Sequence, residues 1–117
     1  MKLRDMAQEL GLENLTPELS AEAAAEVAAG CASDLLSNVL ANAPKGGVLV
    51  TIQVHLNVVA VAVHAELAAV IFASDRAPEE VVRRKGVEER IVLYKSHESA
   101  FDIVGKLYAM GLRGPNA

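Results

Sequence analysis

The chain has 117 residues, a net charge of −4 at pH 7 and one cysteine, Cys31. Its acidic balance and its aromatic share of 3% argue against a nucleic-acid partner, which needs a basic face and rings for stacking. The longest apolar run, 58–73, is too short to span a membrane, and the charged first residues do not form a signal peptide. We therefore expect one cytoplasmic domain with no membrane contact, no disulfide and no cysteine-rich metal site.

Apolar positions at helical spacing open the chain. They predict an amphipathic helix over 3–10 that ends at Gly11, and a short strand follows within 12–15. The next segment, 21–29, permits two interpretations. Its alanine and glutamate content favours a helix, whereas a strand at 26–31 would lead directly into the following helix.

Helices and strands are predicted to alternate through the middle of the chain. A helix over 34–43 precedes the apolar strand 48–52, and the strand 69–73 follows the valine-rich run 58–67. We interpret that run as a crossover helix, although its β-branched residues also fit the second strand of a hairpin.

The same alternation continues in the last third of the chain. Pro78 begins a helix that Gly86 limits, and 91–94 is a strand. Ser96 or Ser99 caps the closing helix, because serine side chains accept hydrogen bonds from the free amides of a first turn.

This order of elements predicts the fold class. Strands that alternate with helices form α/β folds, with a mostly parallel sheet, helices on both faces and right-handed crossovers. We expect a single domain over 1–112 and a disordered tail over 113–117.

Several segments resemble the DRTGG domain family, especially its short stand-alone members. They are 9–11, 30–37, 47–53, 66–71 and 99–105. The resemblance implies a fold like the amino-terminal domain of HPr kinase/phosphorylase. The complete Asp-Arg-Thr-Gly-Gly motif that names the family is absent, and 53–57 and 73–76 stand in the expected places.

The resemblance implies a regulatory or assembly module without catalytic residues. A serine-kinase label would be inherited from the HPr kinase likeness, since the kinase activity lies in another domain of that protein. It also implies a protein partner in the iron-only hydrogenase system, because short members are often encoded near such genes. The sequence itself has no phosphate-binding loop, since Lys45-Gly46-Gly47 precedes a strand and lacks a following Ser or Thr.

Polar residues follow three of the predicted strands, where parallel sheets bind ligands. They are Gln53, His55, Asn57, Ser74, Asp75, Arg76, Ser96 and His97. The spacing of the histidines matches no known metal motif, so we expect neither a metal nor a cofactor.

Two hypotheses for the function use this crevice. In the preferred one, the chain is a non-catalytic homodimer that binds a small-molecule or nucleotide ligand, because its apolar content of 52% exceeds what one small core needs. In the alternative, the chain is a small enzyme that performs acid–base chemistry in this crevice with His55, His97 and Asp75.

Overall fold

The computed structural model describes residues 1–115. Its helices are α1 (Leu3–Leu10), α2 (Leu36–Asn42), α3 (Asn57–His64), α4 (Glu80–Glu89) and α5 (Ala100–Ala109). Its strands are β1 (Glu13–Asn14), β2 (Gly30–Ala32), β3 (Val48–Thr51), β4 (Ala69–Phe72) and β5 (Val92–Lys95). Within the described range, no helix has both the length and the apolar composition needed to cross a membrane. Asn116 and Ala117, the end of the predicted disordered tail, lie outside the described residues.

The strands form one sheet in the order β1-β5-β4-β3-β2. Strands β2 to β5 are parallel, and each lies beside the strand that follows it in the chain. Strand β1 adds to β5 in the antiparallel direction, with Glu13 opposite Lys95. The predicted fold class, an α/β domain with a mostly parallel sheet, is confirmed.

The helices cover both faces of this sheet. Because β2 to β5 are added in one direction and parallel crossovers are right-handed, α2, α3 and α4 pack on the same face. Their apolar residues form one buried cluster with alternate strand residues: Val39, Val58, Val59, Ala62 and Val82 with Leu49, Val70, Phe72 and Leu93. On the opposite face, α1 and α5 pack against the other strand residues: Leu3, Met6, Ile103 and Leu107 with Val48, Val50, Ile71 and Tyr94.

Several helix ends follow the sequence signals. Helix α1 ends at Gly11, which has a φ of 65°, a left-handed conformation that glycine adopts without strain. Ser99 caps α5, and its Oγ accepts a hydrogen bond from the Asp102 amide at 3.2 Å. The valine-rich run forms α3, as the crossover interpretation predicts, and the hairpin alternative is wrong.

Gly86 has a different role from the predicted one. Helix α4 continues through it and ends at Arg90, which has a φ of 60°. A Cβ atom at Gly86 would lie 2.7 Å from Leu93 Cδ1, so glycine lets α4 pack closely against β5.

The segment 21–29 is neither a full helix nor a strand. It forms one 3₁₀ turn over Glu22–Ala24 and then runs extended to β2, which begins four residues later than the strand predicted at 26–31. Hydrogen bonds of 2.9 Å join the backbone of Ala25 and Val27 to the first three residues of the chain. These long-range bonds outweigh the local helix propensity of the alanines.

Candidate functional site

The loops after β3, β4 and β5 carry seven of the eight residues predicted from the sequence, and the eighth, Asn57, begins α3. Backbone hydrogen bonds join these loops at one edge of the sheet. The Ala73 amide donates to the Thr51 carbonyl at 2.9 Å, which ties the loop after β4 to the end of β3. The Asp75 amide donates to the Ser96 carbonyl at 2.8 Å. These hydrogen bonds make the carboxyl edge of the sheet one continuous surface.

The loop after β3 is organised by its own side chains. The Gln53 amide donates to Thr51 Oγ1 at 3.0 Å, and Gln53 Oε1 accepts from the His55 amide at 3.3 Å. His55 Nδ1 in turn accepts from the Asn57 amide at 3.1 Å, at the start of α3. In its neutral form His55 therefore carries its proton on Nε2. Gln53 and His55 thus shape this loop, while His55 and Asn57 remain exposed.

The loop after β4 holds two successive residues in the left-handed region. Ser74 and Asp75 have φ values of 57° and 58°, which costs about 1 to 3 kcal/mol at each residue other than glycine. The Ser74 amide donates to the Glu98 carbonyl at 2.7 Å, so the loop after β5 holds this turn in place. The Asp75 carboxylate lies 3.0 Å from Lys95 Nζ, and this hydrogen bond raises the pKa of Lys95.

Ser96 is the buried member of the predicted set, with 4% of its surface exposed. Its Oγ accepts from the Glu98 amide at 3.0 Å, so the hydroxyl stabilises the turn before α5. His97 is exposed in this turn, and Arg76 is exposed directly after the left-handed turn that follows β4. The structure brings the loops after β4 and β5 together, whereas Gln53, His55 and Asn57 interact within their own loop.

Asp34 is a residue of this edge that the sequence analysis missed. Its Oδ1 accepts two hydrogen bonds of 2.8 Å, from Thr51 Oγ1 and from the Ile52 amide. The loop after β2 is thereby tied to the end of β3. A sequence signal exists, because Asp34 follows the first parallel strand just as the predicted residues follow the next three.

A cavity of about 510 Å³ lies elsewhere, along the outer side of β2 between α2 and α5. Asn38 and Asn42 line it from α2, and Val104 and Tyr108 line it from α5. None of the eight predicted residues belongs to the described lining. Sequence reasoning missed this cavity because its walls come from distant parts of the chain.

The charged and titratable groups of the cavity are few. The Arg113 guanidinium lies 3.8 Å from the centre of the Tyr108 ring and donates to the carbonyls of Tyr108 and Leu112. Burial raises the pKa of the Cys31 thiol, which disfavours its thiolate form. Within residues 1–115, no three His, Cys, Asp or Glu side chains are grouped so that they could hold a metal ion.

Comparison with known proteins identifies a structural relative but no sequence relative. No protein-family profile matches the chain, and no curated protein matches it. The fold is similar to the CBS and DRTGG domains of the regulatory region of a Clostridium perfringens pyrophosphatase, complexed with the activator diadenosine tetraphosphate. The TM-score is 0.72 at 10% sequence identity, and the match covers 91% of this chain and 45% of that chain. This chain thus spans less than half of that structure, and the DRTGG-like fold expected from the sequence is confirmed.

Proposed function

We propose that this chain is a non-catalytic regulatory module that forms a homodimer and binds a small ligand of the nucleotide class at the carboxyl edge of its sheet. The observation that carries the proposal is the left-handed turn at Ser74 and Asp75, which two backbone hydrogen bonds hold against the loop after β5. Strained turns of this kind persist where the surrounding structure stabilises them, and they are concentrated at functional sites.

The next residue supplies the chemistry for an anionic ligand. Arg76 is exposed, and the ion pairs within residues 1–115 do not include it. A guanidinium group binds phosphate oxygens through two parallel hydrogen bonds. His97 and the amide of Asn57 extend the same edge with further polar groups. A nucleotide bound to the fold's structural relative is in keeping with this chemistry.

Contacts at this edge favour binding over acid–base catalysis. The Asp75 carboxylate is paired with Lys95 Nζ at 3.0 Å rather than with a histidine. His55 Nδ1 already accepts a hydrogen bond from the Asn57 amide. A general base needs a free acceptor within hydrogen-bond reach of the substrate and a group that orients it. The proposal therefore assigns His55, His97 and Asp75 to the binding surface.

Isothermal titration calorimetry of the full chain with ADP, ATP and diadenosine tetraphosphate tests the ligand site. We expect at least one of them to bind, and we expect Arg76→Ala to weaken that binding about tenfold or more. Arg84→Ala is the matched control, because Arg84 is an exposed arginine on α4. The proposal is wrong if no nucleotide binds, or if the two variants lose affinity equally.

Self-association and a protein partner complete the proposal. The apolar side chains of Phe101 and Tyr108 are 87% and 58% exposed on α5, which supports a homodimer. The sequence resemblance adds a cytoplasmic partner from the iron-only hydrogenase system. Co-purification of the tagged chain with hydrogenase maturation proteins in its native host tests that partner, and its absence under native conditions would remove it from the proposal.

A further inference from the structure

The two edges of the sheet are protected very differently. At one edge, β1 is only two residues long and carries Glu13, whose carboxylate lies 3.6 Å from Lys95 Nζ. Charge and short length are the usual means by which proteins prevent an edge strand from pairing with another chain. At the other edge, β2 consists of Gly30, Cys31 and Ala32 and carries no charge. This three-residue edge therefore lacks the charge that would discourage pairing with another strand.

The hydrogen bonds of β2 establish which groups point outward. The Ala29 carbonyl accepts a hydrogen bond from the Val48 amide, and the Ser33 amide donates to the Val50 carbonyl. The backbone groups of the odd-numbered residues in and beside β2 therefore face β3. Strand residues alternate in the direction of their backbone groups, so Gly30 and Ala32 direct theirs away from the sheet.

The segment around Arg113 covers only part of the outer side of β2. The Gly30 amide donates to the Arg113 carbonyl at 2.9 Å, and the Arg113 amide donates to the Ala28 carbonyl at 3.2 Å. The next residue in bonding position is Pro115, which has no N–H to donate to the Gly30 carbonyl. Beyond this bridge, no strand of residues 1–115 pairs with the outer side of β2, so within that range the amide and the carbonyl of Ala32 have no strand partner.

The surface beside Ala32 is apolar and nearly uncharged. Ala32 shares a shallow depression with Phe101, Val104 and Tyr108 of α5. Among the described residues that line this depression and the neighbouring cavity, only Arg113 is charged. In the whole chain, 22% of the residues are charged. In a two-fold interface a group on the axis meets its own copy, so an uncharged surface there avoids repulsion between two acidic chains, each of net charge −4.

We infer that β2 pairs with β2 of a second copy in the antiparallel direction, with Ala32 opposite Ala32 of the partner subunit. A single residue with both its amide and its carbonyl directed outward is self-complementary about a two-fold axis, since each amide donates to the other carbonyl. The two five-stranded sheets then become continuous, and α5 lies beside the partner's α5 on one face. This inference rests on the homodimer of the proposed function and names its interface.

Sedimentation velocity of the full chain at a series of concentrations tests the inference. We expect wild type to sediment at twice 12.3 kDa. Phe101→Asp places two like charges near the axis and is expected to raise the dimer dissociation constant about a hundredfold. Val81→Asp is the matched control, because Val81 is an exposed apolar residue of α4 and the change should leave the dissociation constant within about twofold.

Ala32→Pro removes the outward amide without breaking a bond to β3 and is expected to give a monomer as well. Hydrogen exchange supplies a direct measurement, since the Ala32 amide should be protected in the wild-type dimer and exchange freely in Phe101→Asp. A wild-type dimer that Phe101→Asp leaves intact, with the Ala32 amide unprotected, would place the interface elsewhere and leave the homodimer standing. A wild-type chain that stays monomeric at all concentrations would overturn both the β2 interface and the homodimer of the proposed function.

Discussion

Replacing Asp34 with alanine should loosen the carboxyl edge of the sheet and destabilise the fold. The change removes two hydrogen bonds of 2.8 Å to one carboxylate oxygen, from Thr51 Oγ1 and from the Ile52 amide. A hydrogen bond to a charged acceptor contributes about 1.5 to 3 kcal/mol when it is buried. Asp34 and Ile52 are exposed, so water replaces part of each interaction, whereas Thr51 is 1% exposed and its hydroxyl loses its acceptor. We expect the free energy of unfolding to fall by about 2 kcal/mol.

Urea unfolding followed by far-UV circular dichroism is the suitable assay, because the chain has no tryptophan. The matched control is Asp34→Asn, which keeps a side-chain oxygen in the same position and should lose less than half as much stability. An unfolding free energy for Asp34→Ala within about 0.5 kcal/mol of wild type would refute the reasoning. Equal losses in the two variants would also refute it, since the bonded oxygen would then not be the cause.

Two further predictions concern packing and pH. Gly86→Ala should lower the free energy of unfolding by about 1 to 2 kcal/mol in dilute solution, because the new Cβ would lie 2.7 Å from Leu93 Cδ1. Gly105→Ala, in an α5 position with nothing within 4 Å, should raise it by about 0.5 to 1 kcal/mol, and opposite signs in urea titrations are the check. The hydrogen bond to Asp75 raises the pKa of Lys95 in the folded state, so its stabilisation is present below the ordinary value of 10.5 and is lost as the pH rises through the folded-state value. Melting temperatures measured on either side of pH 10.5 should therefore fall more steeply for wild type than for Lys95→Met, and parallel curves would contradict this assignment.

The elements that sequence patterns predicted correctly are those whose conformation depends on local spacing. Helix α1 carries its own apolar period and the central strands are short apolar runs, whereas α3 was predicted from its place between two of these strands. The conformation of the segment 21–29 cannot be predicted from its own residues, because its extended half is hydrogen-bonded to the first residues of the chain. Gly86 was misread for a related reason, since its role depends on contact with β5 rather than on its own helix.

The candidate site divides in the same way. That polar residues such as Arg76 and His97 follow parallel strands can be read from the alternation of elements alone. The pairing of Asp75 with Lys95 requires the register of β4 and β5, and the role of Asp34 requires that of β2 and β3. The cavity beside β2 could not be predicted, because its walls meet only after α2, α5 and Arg113 have been brought together by folding.

The sequential order of β2 to β5 has a consequence for how the chain matures during synthesis. Each of these strands pairs with the next one to leave the ribosome, so this part of the sheet can grow as it is made. Strand β1 and helix α1 emerge first, yet Glu13 pairs with Lys95 and Met6 packs in the same core as Ile103. The antiparallel pairing of β1 can therefore form only after β5 has been translated, whereas the first three residues have backbone partners at Ala25 and Val27 much earlier in the chain.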